Sequence, residues 1–169
     1  MDGSAVWTWR HAAKGEATAN LLLDVRVQLN GQAVRVAREV HALLAAGSPL
    51  GAHSLARTIH EISVRAGILS KFGRMAQYVD LAERFVLHDH VINYQDAVVY
   101  QRDVHRLDYE PFGESEMVDL KGRHDELLER YGQAYGTPLG WAIDLAGLPR
   151  PKRPTFEDLR PNSRDAVFA

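Results

Sequence analysis

The first two thirds of the chain contain few residues that interrupt helices, and this sparseness constrains the fold more than any other feature. Residues 16–46 contain one glycine, Gly31, and no proline. Apolar residues recur there at intervals of three and four, which is the spacing of one face of an amphipathic helix. Gly47 and Pro49 follow, and this pair is typical of a helix end. The pattern predicts a helix over residues 16–46. Its apolar face comprises Leu22, Val25, Leu29, Ala33, Val36, Val40 and Leu43.

The same reasoning predicts three further helices. The second runs over about residues 50–71 and carries apolar residues on two sides, with Val64 and Ile68 opposite the main stripe, so we expect it between two neighbours. The main stripe comprises Leu55, Ile59, Ile62, Ala66 and Leu69. The third helix is predicted over residues 74–106, which lack glycine and proline, and the fourth over residues 114–131.

Glycine and proline become frequent after the fourth predicted helix. We therefore divide the chain into an N-terminal extension (1–15), a helical bundle (16–131) and a C-terminal arm (132–169). Short helical pieces are expected in the arm, near 141–146 and 156–159. The predicted fold class is all-α: an antiparallel bundle of about four helices, two of them long, followed by an irregular arm rich in proline and glycine.

Composition removes several classes of function. The chain has 169 residues and no cysteine, so thiolate metal sites, iron–sulfur clusters and cysteine nucleophiles are excluded. Its net charge of −2 gives no global basic field for nucleic acid. It has neither a phosphate-binding glycine loop nor a serine elbow, and we expect no cofactor. Its start has no secretory pattern and no apolar run spans a membrane, so we expect a cytoplasmic protein.

Charged residues on the second helix form the first candidate site. Arg57, Glu61 and Arg65 are spaced four residues apart, so they share one face of the helix. That face lies beside Val64 and Ile68, and burial of this patch would bury Arg57 and Glu61 at least in part. The three residues are interpreted as a structural ion pair that fixes the register of the helices. The alternatives are a pocket for an anion or another polar ligand, and a solvated face.

Histidines on the third helix suggest a metal site, but their spacing argues against one. His88 and His90 lie two residues apart, so on a helix they point about 200° apart and cannot share one ion. The spacing of four residues that suits zinc is absent. We therefore predict no metal site within this helix.

Arg84 and His90 are separated by six residues on the same helix. This spacing resembles the motif of HEPN-type ribonucleases, which are helical bundles that dimerise and cleave RNA without a metal ion. The resemblance implies that His90 transfers the proton and that Arg84 contacts the phosphate. Histidine can move a proton near neutral pH, and arginine can stabilise phosphorane charge. Phe85 departs from that family, in which a polar residue commonly follows the arginine.

A second resemblance extends over about residues 15–160. The segment Leu55-Ala56-Arg57-Thr58-Ile59-His60-Glu61 is similar to the Leu-x-Arg-Thr-x-x-Glu helix of domain of unknown function 5677. A long helix with arginines, a charged helix, and then Tyr131-Gly132-Gln133-Ala134-Tyr135-Gly136 with Gly140-Trp141 follow in the order of that family. The resemblance implies an all-helical fold without an established activity, and it marks Arg57, Glu61, Gly140 and Trp141.

The chain departs from that family at its end. Members continue into further helices that carry tyrosine and histidine, whereas this chain stops at Ala169 after a proline-rich stretch. We therefore expect a shortened member or a fragment, and either would leave an active site incomplete.

Three hypotheses about function follow. The first is a helical bundle that acts by protein association, as a homodimer or with a protein partner, because broad apolar helix faces must be covered. The second is a metal-independent ribonuclease that uses Arg84 and His90 on RNA. The third is a binder of a small polar ligand at Arg57 and Glu61. The first is preferred, and it requires one apolar helix face to stay exposed in the monomer.

Overall fold

The computed structural model describes residues 14–106 and 109–145. These residues form four α-helices: α1 (Lys14–Ala45), α2 (Pro49–Phe72), α3 (Leu81–Asp103) and α4 (Glu114–Tyr131). The described residues contain no strand, and the fold is an all-α bundle. The all-α prediction is therefore confirmed. The N-terminal extension, apart from its last two residues, and the predicted helical piece at 156–159 lie outside the described residues.

The α1 and α2 helices form a long hairpin. Gly47 ends α1 with a positive φ of 72°, which a glycine adopts without strain, and Pro49 begins α2. The predicted apolar face of α1 is confirmed, since four of its residues are buried and the other three half-buried. The buried four are Leu22, Val25, Leu29 and Val36. Burial of Val64 and Ile68 together with Ile62 and Leu69 confirms that α2 lies between two neighbours.

The predicted start of the third helix is wrong. Residues 74–80 form a turn and a short 3-10 helix, Ala76–Tyr78, and α3 begins only at Leu81. Gly73 lies so close to α1 that a Cβ atom would come within 2.8 Å of a Leu22 methyl carbon. The chain therefore turns at this point, and Tyr78 packs edge-on against Phe72 with ring centroids 5.7 Å apart. Tertiary packing overrides helix propensity over these seven residues.

The α4 helix packs along α3 and has the predicted bounds. The Glu116 carboxylate accepts a hydrogen bond from the Gly113 backbone N–H at 2.9 Å, which satisfies one free donor at the start of α4. Two 3-10 helices follow, Gln133–Gly136 and Gly140–Ala142. Trp141 and Leu145 are buried in the same core as the long helices.

Candidate functional site

The buried polar groups of the described residues concentrate where α3 meets residues 131–145, which we call the C-terminal segment. Arg84 is in the first turn of α3, and only 8% of its side chain is exposed. Its Nη2 atom donates to the Asp144 carboxylate at 3.2 Å, and its guanidinium carbon lies 5.6 Å from the centre of the Tyr131 ring. Asp144 is 61% exposed in its side chain, so the ion pair runs from the core to the surface.

His88 lies one turn further along the same face of α3 and is also buried. Its Nε2 atom lies 3.1 Å from the Tyr135 carbonyl oxygen and 2.9 Å from that of Thr137. Because both partners are acceptors, Nε2 carries a hydrogen and donates it. The His88 ring also packs edge-on against the Tyr135 ring, with centroids 5.1 Å apart. His88 thereby binds the backbone of the C-terminal segment to α3.

Two further contacts complete this arrangement, which we call the polar junction: Arg84, His88 and Gln95 of α3 with the C-terminal segment. The buried Tyr135 hydroxyl donates to the Arg84 carbonyl oxygen at 2.5 Å. The Gln95 amide donates to the Gly136 carbonyl oxygen at 2.8 Å. The segment also needs Gly140, because a Cβ atom there would come within 2.2 Å of the Tyr135 carbonyl oxygen.

Burial changes the acid–base properties of the polar junction. It lowers the pKa of His88, although the two carbonyl acceptors and Asp89 oppose the change, while the charge of Arg65 adds to it. Burial also raises the pKa of Tyr135. Both residues are buried and make hydrogen bonds between α3 and the C-terminal segment, so the geometry favours a role in holding that segment.

The predicted charge cluster on α2 is largely at the surface. Arg57 Nε donates to Glu61 Oε1 at 3.2 Å, but the Arg57 side chain is 81% exposed, so the expected partial burial of Arg57 is wrong. Glu61 is partly buried, with 29% of its side chain exposed. Arg57 lies one turn before Glu61, at an exposed position of α2. Arg65 is half-buried, and its charge helps to lower the pKa of His88.

The structure does not bring Arg84 and His90 together. Their six-residue spacing turns the two side chains about 120° apart on a helix. Arg84 contacts Asp144 and Tyr131, whereas His90 is half-buried elsewhere on α3. Among the described residues, no polar contact joins the two. The hypothesis of a ribonuclease stays a prediction.

A second feature with functional potential is the side of α1 that faces away from the bundle. Leu23, Val27 and Val34 lie on this side, which we call the outward face. Val27 is 63% exposed and Val34 is 45% exposed, although both are large apolar residues. The outward face is about a third of a turn away from the buried stripe of the same helix. It is an apolar helix face that the described residues leave uncovered.

The described part of the chain has neither a metal-binding cluster nor a membrane-spanning helix. No group of three or more histidine, aspartate or glutamate side chains there is placed to bind a metal ion. No helix there is both long and apolar enough to cross a membrane.

Sequence reasoning missed most of the polar junction. The sequence does not identify Tyr135, Thr137 and Gln95 as contacts between α3 and the C-terminal segment, and it does not predict the burial of His88. Arg84 and His88 are four residues apart and therefore share a helix face. That spacing could have indicated a buried polar pair, but the sequence gives no sign that the C-terminal segment covers it.

Comparison with known protein families finds one match. The match is to a family described as "Family of unknown function (DUF5677)", and it spans residues 24–160. Comparisons with curated proteins and with solved structures found no match. The matched range includes α2, the polar junction and most of α1. The expected resemblance is confirmed, and the chain belongs to the family of unknown function DUF5677.

Proposed function

We propose that this protein works by association with another polypeptide and that the outward face of α1 is the contact surface. One observation supports the proposal: large apolar side chains recur along the exposed side of a helix whose other side already packs in the core. Burying such a side chain stabilises a complex by about 1.5–3 kcal/mol relative to leaving it in water. A cytoplasmic location is part of the proposal.

The form of the outward face suits a helical partner. Leu23, Val27 and Val34 are separated by four and seven residues, so they form one straight ridge along α1. A ridge of this kind packs into the groove of another helix. From Leu23 to Val34 this ridge extends over 11 residue steps, or about 17 Å.

The alternatives have less support. A ribonuclease would need the Arg84 guanidinium to reach a phosphate, but that group is buried against Tyr131 and paired with Asp144. A ligand pocket at Arg57 and Glu61 would need enclosed walls, but Arg57 points into solvent.

Photo-cross-linking in living cells tests the proposal. Val27 is replaced by p-benzoylphenylalanine, and the matched control carries the same residue in place of Glu129, which is exposed on α4. We expect irradiation to join the chain to a discrete polypeptide at Val27 but not at Glu129. Equal or absent cross-linking at the two positions would contradict the proposal.

A further inference from the structure

We infer that the partner at the outward face is a second copy of this chain, with the two α1 helices packed antiparallel and crossing between Asn30 and Gly31. This inference rests on the proposed function, because it names the partner of the same surface. The argument comes from the arrangement of apolar, polar and charged residues along α1.

The two valines of the outward face define the crossing point. Val27 and Val34 lie on either side of Asn30 and Gly31, at equal distances from the midpoint between them. When two copies cross antiparallel at that midpoint, Val27 of one copy meets Val34 of the other, and the reverse contact occurs as well. A two-fold axis requires this kind of self-complementary pairing.

The residues at the crossing point fit a close contact. A Cβ atom on Gly31 would meet nothing within 4 Å, so open space surrounds this exposed glycine. Asn30 is also exposed and lies on the ridge between the two valines. Two Asn30 amides facing each other across the axis can exchange hydrogen bonds, and a single asparagine of this kind specifies the register of paired helices.

The charges beside the outward face are complementary in the same arrangement. Asp24 and Arg38 lie on the same flank of the ridge, where each is exposed and neither has an ion-pair partner among the described residues. An antiparallel crossing between Asn30 and Gly31 places Asp24 within one residue, or about 1.5 Å, of the level of Arg38 of the second copy, and it does so twice. A parallel pair would leave Asp24 of one copy and Arg38 of the other about 21 Å apart along the helices, so this pair could not form. The charges therefore favour the antiparallel orientation.

Disulfide trapping tests the orientation directly, because the chain contains no cysteine of its own. Asn30→Cys places two thiols at the crossing point, and we expect oxidation to give a covalent dimer. In Leu23→Cys the two thiols lie about 22 Å apart along the antiparallel helices, so we expect none. A covalent dimer of Leu23→Cys would overturn the antiparallel arrangement.

Charge exchange provides an independent measurement. We expect Asp24→Arg to weaken self-association about 10-fold, because it replaces two attractive pairs by two repulsive ones. The double variant Asp24→Arg/Arg38→Asp restores the attraction and should return the dissociation constant to within about 3-fold of the wild type. Asp119→Arg, an equal charge change at an exposed position of α4, is the control. Loss of association in the double variant would contradict the pairing.

The two proposals fail in different ways. A purified chain that stays monomeric and forms no disulfide through Asn30→Cys would overturn the inference of a second copy. Cross-linking of Val27 to a different polypeptide in cells would then still support the proposed function. A chain that stays monomeric in solution and that forms no cross-link through Val27 in cells would overturn both proposals.

Discussion

The outward face of α1 and the polar junction on α3 violate opposite expectations for a folded protein. The first exposes large apolar side chains to solvent, and the second buries Arg84 and His88. Arg84 pairs through Nη2 with Asp144, and His88 contacts two backbone carbonyls, whereas the buried Arg84 Nε and Tyr131 hydroxyl have no hydrogen-bond partner among the described residues. The apolar side chains of the outward face remain exposed among the described residues. The contrast separates a region that holds α3 and the C-terminal segment together from a face that we propose another polypeptide covers.

The largest expected effect is at Gly140 in the polar junction. Gly140→Ala places a Cβ atom 2.2 Å from the Tyr135 carbonyl oxygen, so the C-terminal segment must shift off α3. We expect the free energy of unfolding in urea to fall by about 3 kcal/mol or more. Gly122→Ala is the control, since open space surrounds Gly122 within α4, and it should gain about 0.5–1 kcal/mol. Equal stabilities for the two variants would show that the segment does not pack as described.

The next effect is the pH dependence of stability from His88. Burial lowers the pKa of folded His88 below its ordinary value of 6.5, so the unfolded chain takes up a proton there first. Stability is therefore full above pH 6.5 and falls as the pH drops below that value, by at most about 1.4 kcal/mol per pH unit.

Urea unfolding of the wild type and two variants measures this effect. His88→Gln keeps a hydrogen-bond donor but cannot take up the proton, so its stability should depend less on pH between 7.5 and 5.5. His53→Gln, at an exposed position of α2, should follow the wild type. If the free energy of unfolding of His88→Gln changes with pH as steeply as that of the wild type, the pH dependence comes from other groups.

The smallest effect is expected at the surface ion pair of α2. Glu61→Ala removes the partner of an arginine that is 81% exposed, and such pairs contribute about 0.3–0.5 kcal/mol. Thermal unfolding should therefore change only slightly. A large loss of stability would show that Glu61 has a buried role, such as the register-fixing function first expected from the sequence.

Much of the bundle could be predicted from the sequence because local spacing encodes it. The buried stripe of α1, the two-sided burial of α2 and the bounds of α4 follow from periodicity and helix-end residues. The start of α3 could not be predicted, because the turn at Gly73 results from contact with Leu22 on α1. That contact joins residues about fifty positions apart, and no local pattern records it.

The outward face and the polar junction also differ in how far local spacing predicts them. The outward face is encoded in one helix, but Leu23, Val27 and Val34 become informative only once the other side of α1 is known to be buried. The polar junction depends on residues separated by about fifty positions, such as Arg84 and Tyr135. The ion pair between Arg57 and Glu61 was visible from spacing, but its exposure was not, since exposure depends on the neighbouring helices.

Sedimentation velocity over a concentration series tests most directly whether the outward face joins two copies of the chain. The variant Val27→Lys/Val34→Lys changes two exposed positions, so it should fold normally and unfold at nearly the same temperature as the wild type. We expect the wild type to reach twice the monomer mass as its concentration rises and the variant to remain a monomer. The same mass for both proteins at every concentration would contradict the central claim.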